Sequence, residues 1–410
     1  MAYFSDSPIP TDSRRVVVTG AGIVSPMGMN LEENAVGFRE GRSAFSPITL
    51  FDVSRQRVGT GGQVNLPPTT TKGEARMDRG TRMALLAARE ALVSAAIFDA
   101  TLPIIIGTSA AAMPIGEDYY KHALSTHADR HLQLRRVETY QAQRQMADLC
   151  RVLGVHGPTR IISNACASGA NAIGHAFHLI RAGRAERVLA GGYDALCQLV
   201  FAGFDSLQAL SPSGIPRPFD AARDGLAIGE GAGFLVLESA YAAKSRGASI
   251  IAELLAYGAA TDIHHLTQPN PEGDAALSTM QAACKMAGLA PEQIDYINSH
   301  GTGTPLNDIA EGRAIQRWAG ADVEKIRVSS TKSAIGHLLG GAGAVESVIS
   351  LIALEKQFLP ASLNVREADA VCTFDLVQAP REAMIQRVLT NSFGFGGANA
   401  TLIFGKEGAR

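Results

Sequence analysis

The chain has 410 residues, 46% of them hydrophobic and 19% charged, with a formal net charge of −2. That apolar content supports a large core and more than one structural unit. The near-neutral balance removes any general electrostatic case for a nucleic-acid partner or an anionic membrane surface. The five cysteines, Cys150, Cys166, Cys197, Cys284 and Cys372, are widely spaced and form no CxxC pair. This argues against a disulfide framework or a structural zinc cluster and for reduced thiols in a cytoplasm. No uninterrupted apolar run approaches the length of a membrane span.

Residues 1–13 read as a disordered leader without the apolar core of a secretory signal. Residues 16–25 predict a buried strand running into a glycine turn. Their Gly-Ala-Gly-x-x-Ser pattern has Ser25 where a dinucleotide fingerprint has its third glycine, and no suitable acidic residue follows. Helices are expected at 32–39 and 78–94, the second with Met83, Leu86, Ala87 and Leu92 near helical spacing. A loop-rich stretch separates them at 43–73. Residues 103–107 predict a buried strand. The polar segment 113–151, rich in His, Arg and Gln, predicts helices around a partner-facing surface.

At residues 161–175 a short apolar run turns through small residues into an Ala/Gly-rich helix, with Cys166 at the elbow. A thiol there meets the positive end of a helix dipole and unpaired backbone N–H groups, which favours thiolate. A small apolar residue packed at a crowded turn accounts for the same stretch. Further strands are expected at 187–192, 233–238, 250–257, 294–300, 325–329 and 401–404, and helices at 275–287 and 335–354. Strands alternating with helices imply sheets covered on both faces. The elbow's grammar recurs in the second half at 330–337, which suggests a duplication: a half over 14–249 and a half over 250–410.

Four glycine-framed motifs carry candidate chemistry: Asn164-Ala-Cys166-Ala-Ser-Gly; Asn298-Ser-His300-Gly-Thr302-Gly-Thr304; Ser330-Thr-Lys332 running to His337 and on to Gly343; and Asn391-Ser-Phe393-Gly-Phe395-Gly-Gly. A nucleophile with two histidines, where glycines allow close backbone approach, suits acyl chemistry on a thioester.

In order and spacing these motifs resemble the elongating, Cys-His-His class of β-ketoacyl-acyl-carrier-protein synthases, over about residues 14–404. Local departures are Asn164, where threonine is common, and the divergent 113–151 segment. The resemblance implies the α/β thiolase fold, two similar halves in a five-layered α-β-α-β-α stack. It implies condensation of an acyl group held on Cys166 with malonyl-carrier protein. Backbone N–H groups of Cys166 and Phe395 would form the oxyanion hole, with Phe395 also a gate. His300 and His337 would promote loss of CO2 and stabilise the enolate. Lys332 and Glu346 would pair, and Asp308 and Glu311 would complete a charged support network. Without the family, the last two read as exposed charges at a helix start.

The same resemblance implies substrate contacts at Phe393, Thr302 and Thr304. It also implies an acyl pocket lined by Ala110, where some relatives carry isoleucine, with Met113 and Phe204. Lys72, Arg76, Arg79 and Arg82 fall where relatives meet the acidic carrier protein, although a relative's docking arginine is here Gln208. A solvated basic face fits these four equally. The implied partner is the acyl carrier protein, within a homodimer or a heterodimer, and no cofactor or metal is required. Competing readings are a non-condensing acyltransferase on the same fold, a ketosynthase/chain-length-factor subunit, and a Cys-His-His zinc site, which the Lys332 ammonium opposes.

Overall fold

Among the described residues one sheet has eleven strands and there are twelve helices, more of each than the periodicities above predict. The computed structural model describes residues 14–69, 71–126 and 134–408, so the leader expected over 1–13 lies outside the described residues. The strands are β1 (Val16–Val24), β2 (Ile104–Gly107), β3 (Thr159–Ile162), β4 (Arg187–Asp194), β5 (Gly231–Ser239), β6 (Ala252–Thr261), β7 (Tyr296–Asn298), β8 (Arg327–Ser329), β9 (Asp375–Leu376), β10 (Arg387–Phe393) and β11 (Ala398–Gly405). The helices that position the site are α1 (Leu31–Arg39), α2 (Arg79–Ser94), α3 (Met113–Thr126), α4 (Leu134–Tyr140), α5 (Ala142–Leu153), α6 (Ser168–Arg181), α7 (Gln198–Ser206), α8 (Ala240–Ser245), α9 (Asp274–Ala287), α10 (Pro305–Ala319), α11 (Lys332–Ile335) and α12 (Ala342–Lys356).

The sheet order is β9-β8-β7-β10-β11-β6-β1-β5-β4-β2-β3. Within residues 16–239 the order is third, second, fourth, fifth, first, counting strands along the chain. Residues 252–405 repeat that order, with β9 added at the outer edge. The two sets join through a short antiparallel contact, Val16 opposite Leu254 to Val18 opposite Ala252. Helices α6 and α12 pack against each other and against strands of both sets. They form a middle layer around one apolar core that includes Ile173, Phe177, Val345, Val348 and Ile349. A second core under α2 and α5 covers the outer face of the first set, and a third under α9 and α10 covers that of the second. The result is the expected α-β-α-β-α stack, since each sheet face buries an apolar helix stripe.

Two local expectations are corrected. The Gly-Ala-Gly of residues 20–22 is not a turn; it lies inside β1. Its glycines serve close packing: a Cβ on Gly20 would stand 2.1 Å from the Ala91 carbonyl oxygen, and one on Gly22 2.0 Å from that of Ala87, both in α2. The helix expected over 335–354 begins only at Ala342. Before it the chain breaks at Gly336, with φ +82 and ψ −179, because the His337 N–H leaves the helical ladder and bonds the Ala227 carbonyl at 2.7 Å. Within the 113–151 segment the described residues are helical as α3, α4 and most of α5, and residues 127–133 lie outside the described residues.

Candidate active site

The elbow is built by local hydrogen bonds. Ala165 takes a left-handed φ of +53 although it has a Cβ. Ser168 holds that turn: its hydroxyl donates to the Ala165 carbonyl at 2.6 Å and accepts from the Asn164 N–H at 2.9 Å. Backbone strain of this kind persists only where surroundings over-determine it. Cys166 therefore sits just ahead of α6, buried to 8% exposure. Gly394 lets the last motif approach: a Cβ there would lie 3.1 Å from the Cys166 nitrogen. The backbone N–H groups of Phe395 and Cys166 both act on the sulfur.

The second half delivers the histidines to the same place. Cys166, His300, His337, Phe393, Phe395, Phe204, Thr302, Thr304 and Glu311 line one cavity of about 480 Å³. The two imidazoles stand edge to face, centroids 5.3 Å apart, and Phe393 lies 5.5 Å from His300. Burial pushes both histidines well below the usual range, with the Lys332 ammonium adding to the effect. Both are therefore neutral at pH 7. The Leu339 N–H donates to Nδ1 of His337 at 3.0 Å, so the proton of that neutral ring is on Nε2.

The support residues are buried, not exposed at a helix start. Glu311 accepts the N–H groups of His300 (2.9 Å) and Gly301 (2.7 Å), and an Asn391 amide hydrogen at 3.1 Å. Burial pushes its carboxyl up to about 7. Asp308 accepts from the N–H groups of Phe219 and Gly303, fixing the turn after His300. Lys332 donates to Oε1 of Glu346, each 2% exposed. Burial pushes Glu346 up to about 7, against the pull of Lys332. Among the described residues no group of three or more His, Cys, Asp or Glu is placed to hold a metal ion.

The thiolate expectation is corrected. Burial pushes the Cys166 thiol up to about 11, because desolvation of the sulfur outweighs Lys332 and the two N–H groups. At rest Cys166 is a thiol. Ala110 and Met113 are not on the cavity wall; they join Phe201, Cys197 and Leu339 in an apolar cluster that Phe204 also packs against.

Of the four basic residues, Lys72 and Arg76 are exposed. Arg79 is not a free docking charge: its guanidinium pairs with the fully buried Glu230 at 2.5 Å. Arg82 donates to the Pro67 carbonyl. Gln208 and the exposed Leu207 and Leu266 are on the cavity wall. Two buried acids escaped the sequence reading. Glu230 also accepts the N–H groups of Val64 and Leu196, and Asp194 gathers N–H and O–H groups from both halves. An acid at a strand end looks like a solvated charge until its neighbours are known.

The comparisons agree with this geometry. Residues 13–243 match the model described as "Beta-ketoacyl synthase, N-terminal domain", and residues 251–366 that of its C-terminal domain. A 3-oxoacyl-[acyl-carrier-protein] synthase 2 of Synechocystis sp. is 38% identical, covering 96% of this chain and 99% of the relative. The solved structure of the ishigamide ketosynthase/chain length factor is 35% identical with a TM-score of 0.89, over 96% of this chain and 99% of that one. A type II polyketide ketosynthase, solved with its acyl-carrier protein and bound to the hexaketide, is 30% identical with a TM-score of 0.86, at the same coverage. With a Cys-His-His cavity lined from both like-ordered parts of the chain and both family models matched, the chain belongs to the β-ketoacyl synthase family.

Proposed function

We propose that this enzyme elongates an acyl chain by decarboxylative Claisen condensation with malonyl-acyl carrier protein. The observation that carries this is one cavity holding a buried thiol, two neutral imidazoles and a defined Nε2–H on His337. The Cys166 sulfur attacks the thioester carbonyl of an acyl carrier protein. Its proton leaves with the departing carrier thiol, and a new thioester forms on Cys166. Malonyl-carrier protein then loses CO2, and the electron pair of the broken C–C bond becomes an enolate. The His337 Nε2–H and His300 face the enolate oxygen, where fixed donors lower a barrier most effectively. The enolate carbon attacks the acyl-Cys166 carbonyl. The N–H groups of Cys166 and Phe395 receive the oxyanion, and collapse expels the Cys166 thiolate, which takes a proton from solvent. No step calls for a redox cofactor.

Thr302 and Thr304, hydrogen-bonded to each other at 2.8 Å, face the thioester arm together with Phe393. Lys72 and Arg76 meet the acidic carrier protein. Residues 14–249 and 250–410 are the two halves of a duplication, supported by their common strand order. The assembly is a homodimer, as expected for the family. The likeness to a ketosynthase/chain length factor favours, as a second reading, a heterodimer in polyketide-type elongation. We place the enzyme in the cytoplasm, in keeping with five free cysteines and no helix among the described residues long and apolar enough to cross a membrane.

Mass spectrometry after incubation with a panel of acyl-carrier proteins should find the acyl increment on Cys166. Malonyl-carrier protein should then discharge it as β-ketoacyl product with release of CO2. A protein that never carries the increment, or carries it without discharge, contradicts this reaction.

A further inference from the structure

The Asp194 carboxylate closes β4 and is fully buried. Six groups donate to it. From the loop after β2 these are the Thr108 hydroxyl (2.6 Å), the Ser109 N–H (3.0 Å) and hydroxyl (2.7 Å), and the N–H groups of Ala110 (2.9 Å) and Ala111 (3.0 Å). From the other half of the molecule comes the Gly340 N–H, at 2.6 Å. Every neighbour is a donor, so the site suits an acceptor-only, ionised carboxylate.

The two loops it joins both matter to the reaction. The first carries Ala110 of the apolar cluster behind Phe204. The second, residues 337–341, begins with His337. Its Leu339 holds a left-handed φ of +51, and on the opposite side of the carboxylate Ala111 holds one of +48. These are the conformations that residues with a Cβ adopt only when locked from outside. In the same turn the Leu339 N–H donates to Nδ1 of His337. Gly340 must be glycine for the contact to form: a Cβ would stand 2.6 Å from the Ser109 nitrogen and 2.8 Å from Oδ2 of Asp194.

We propose that Asp194 is a positioning residue for the condensation step: by anchoring the Gly340 N–H it fixes the turn whose Leu339 N–H sets the tautomer of His337. The inference rests on the reaction assigned above. Asp194 touches neither substrate nor the reacting atoms. It keeps the Nε2–H available for the enolate oxygen, and it does so across the boundary between the halves.

The test uses the full-length enzyme, with acyl transfer to Cys166 and condensation measured separately. If the unsubstituted enzyme neither acylates nor condenses, the underlying reaction is wrong; if it does both, the variants test Asp194. At metal sites, hydrogen-bond partners that orient a histidine are commonly worth about 10–100-fold in activity. Asp194→Asn, which places an amide donor among donors, should lower condensation and malonyl decarboxylation by a comparable factor. Formation of acyl-Cys166 should fall much less. In protein labelled with 15N-histidine, the His337 signals should move from a single Nε2–H form to a mixture of tautomers.

Gly340→Ala keeps the carboxylate and displaces the turn, so it reports the same coupling if Asp194→Asn fails to fold. It should give the same split between the two steps. An unchanged His337 tautomer with unchanged condensation in a folded variant overturns the proposal. So does a parallel loss of acylation and condensation, which is what a merely structural residue would give.

Discussion

Phe204 stacks on Phe395, ring centroids 5.8 Å apart and planes inclined by 25°. The first ring sits on α7 and packs against the apolar cluster; the second follows Gly394 and precedes Gly396 and Gly397, both at φ +81. Phe395 is 41% exposed, and both rings line the Cys166 cavity. Aromatic pairs of this kind are worth about 0.5–1.5 kcal/mol beyond area burial. Phe204→Ala should therefore free the Phe395 ring and raise acylation of Cys166 by long relative to short primers, about twofold to tenfold. Competition between two acyl-carrier proteins, read by mass spectrometry, checks the ratio; an unchanged ratio removes the gate.

Ala110 is buried in the apolar cluster that Phe204 packs against, together with Phe201 and Leu339. Ala110→Ile adds three carbons there, and overpacking of a filled core commonly costs about 1–3 kcal/mol. The products should shift toward shorter acyl primers, with a lowered Tm. Chain-length selectivity identical to the starting enzyme would show that this cluster does not receive the acyl chain.

The Cys166 thiol at about 11 makes a pH prediction. Below that value the thiolate fraction rises tenfold per pH unit. Alkylation of Cys166 by iodoacetamide should keep accelerating from pH 7 to pH 10. Lys332→Met removes a charge that draws the thiol down, so alkylation at a given pH should slow further. A plateau at or below pH 8 would restore the resting thiolate expected from the helix dipole.

The Lys332–Glu346 pair is buried on both sides. Removing one member leaves an uncompensated charge, a change commonly costing about 3–5 kcal/mol. Glu346→Ala should lose stability of that order in urea unfolding, and should also slow condensation through Lys332. The Glu346 pKa is raised in the folded state, from 4.5 to about 7. Its contribution is thus fully present below the unfolded value and lost as pH rises through about 7. The stability gap to Glu346→Gln should change in that window and in that direction.

Arg76 and Arg79 should part company. Arg79→Glu sets two carboxylates together at the buried Glu230 and should destabilise the fold at any salt concentration. Arg76→Glu, made with Lys72→Glu on the exposed surface, should leave Tm unchanged and raise the carrier-protein KM most at low salt. A KM insensitive to both charge and salt would return these residues to an ordinary solvated face.

Much of this protein was legible as local pattern. Branched apolar runs gave most of the strands, though not β9 or β10, and small residues after residues 161–162 placed an elbow and a helix behind Cys166. Four motifs in order identified the family, because chemistry and close backbone approach need particular side chains at particular spacings. The failures have a common cause. The glycines of residues 20–22 read as a turn because their reason lies in α2, some seventy residues on. Arg79 and Asp308 read as surface charges because their partners, Glu230 and the Phe219 amide, are distant in the chain.

Tertiary structure alone decided the electrostatics. A sequence can place Cys166 at a helix start, but only folding determines how much water the sulfur loses, and that loss exceeds the pull of Lys332 and the backbone N–H groups. It likewise decided the proton on His337. That rests on one amide two residues away, held in a strained turn, and the turn is held by an acid from the opposite half of the chain. Identity and order of the reactive groups are properties of spacing; their protonation and orientation are properties of burial and long-range contact.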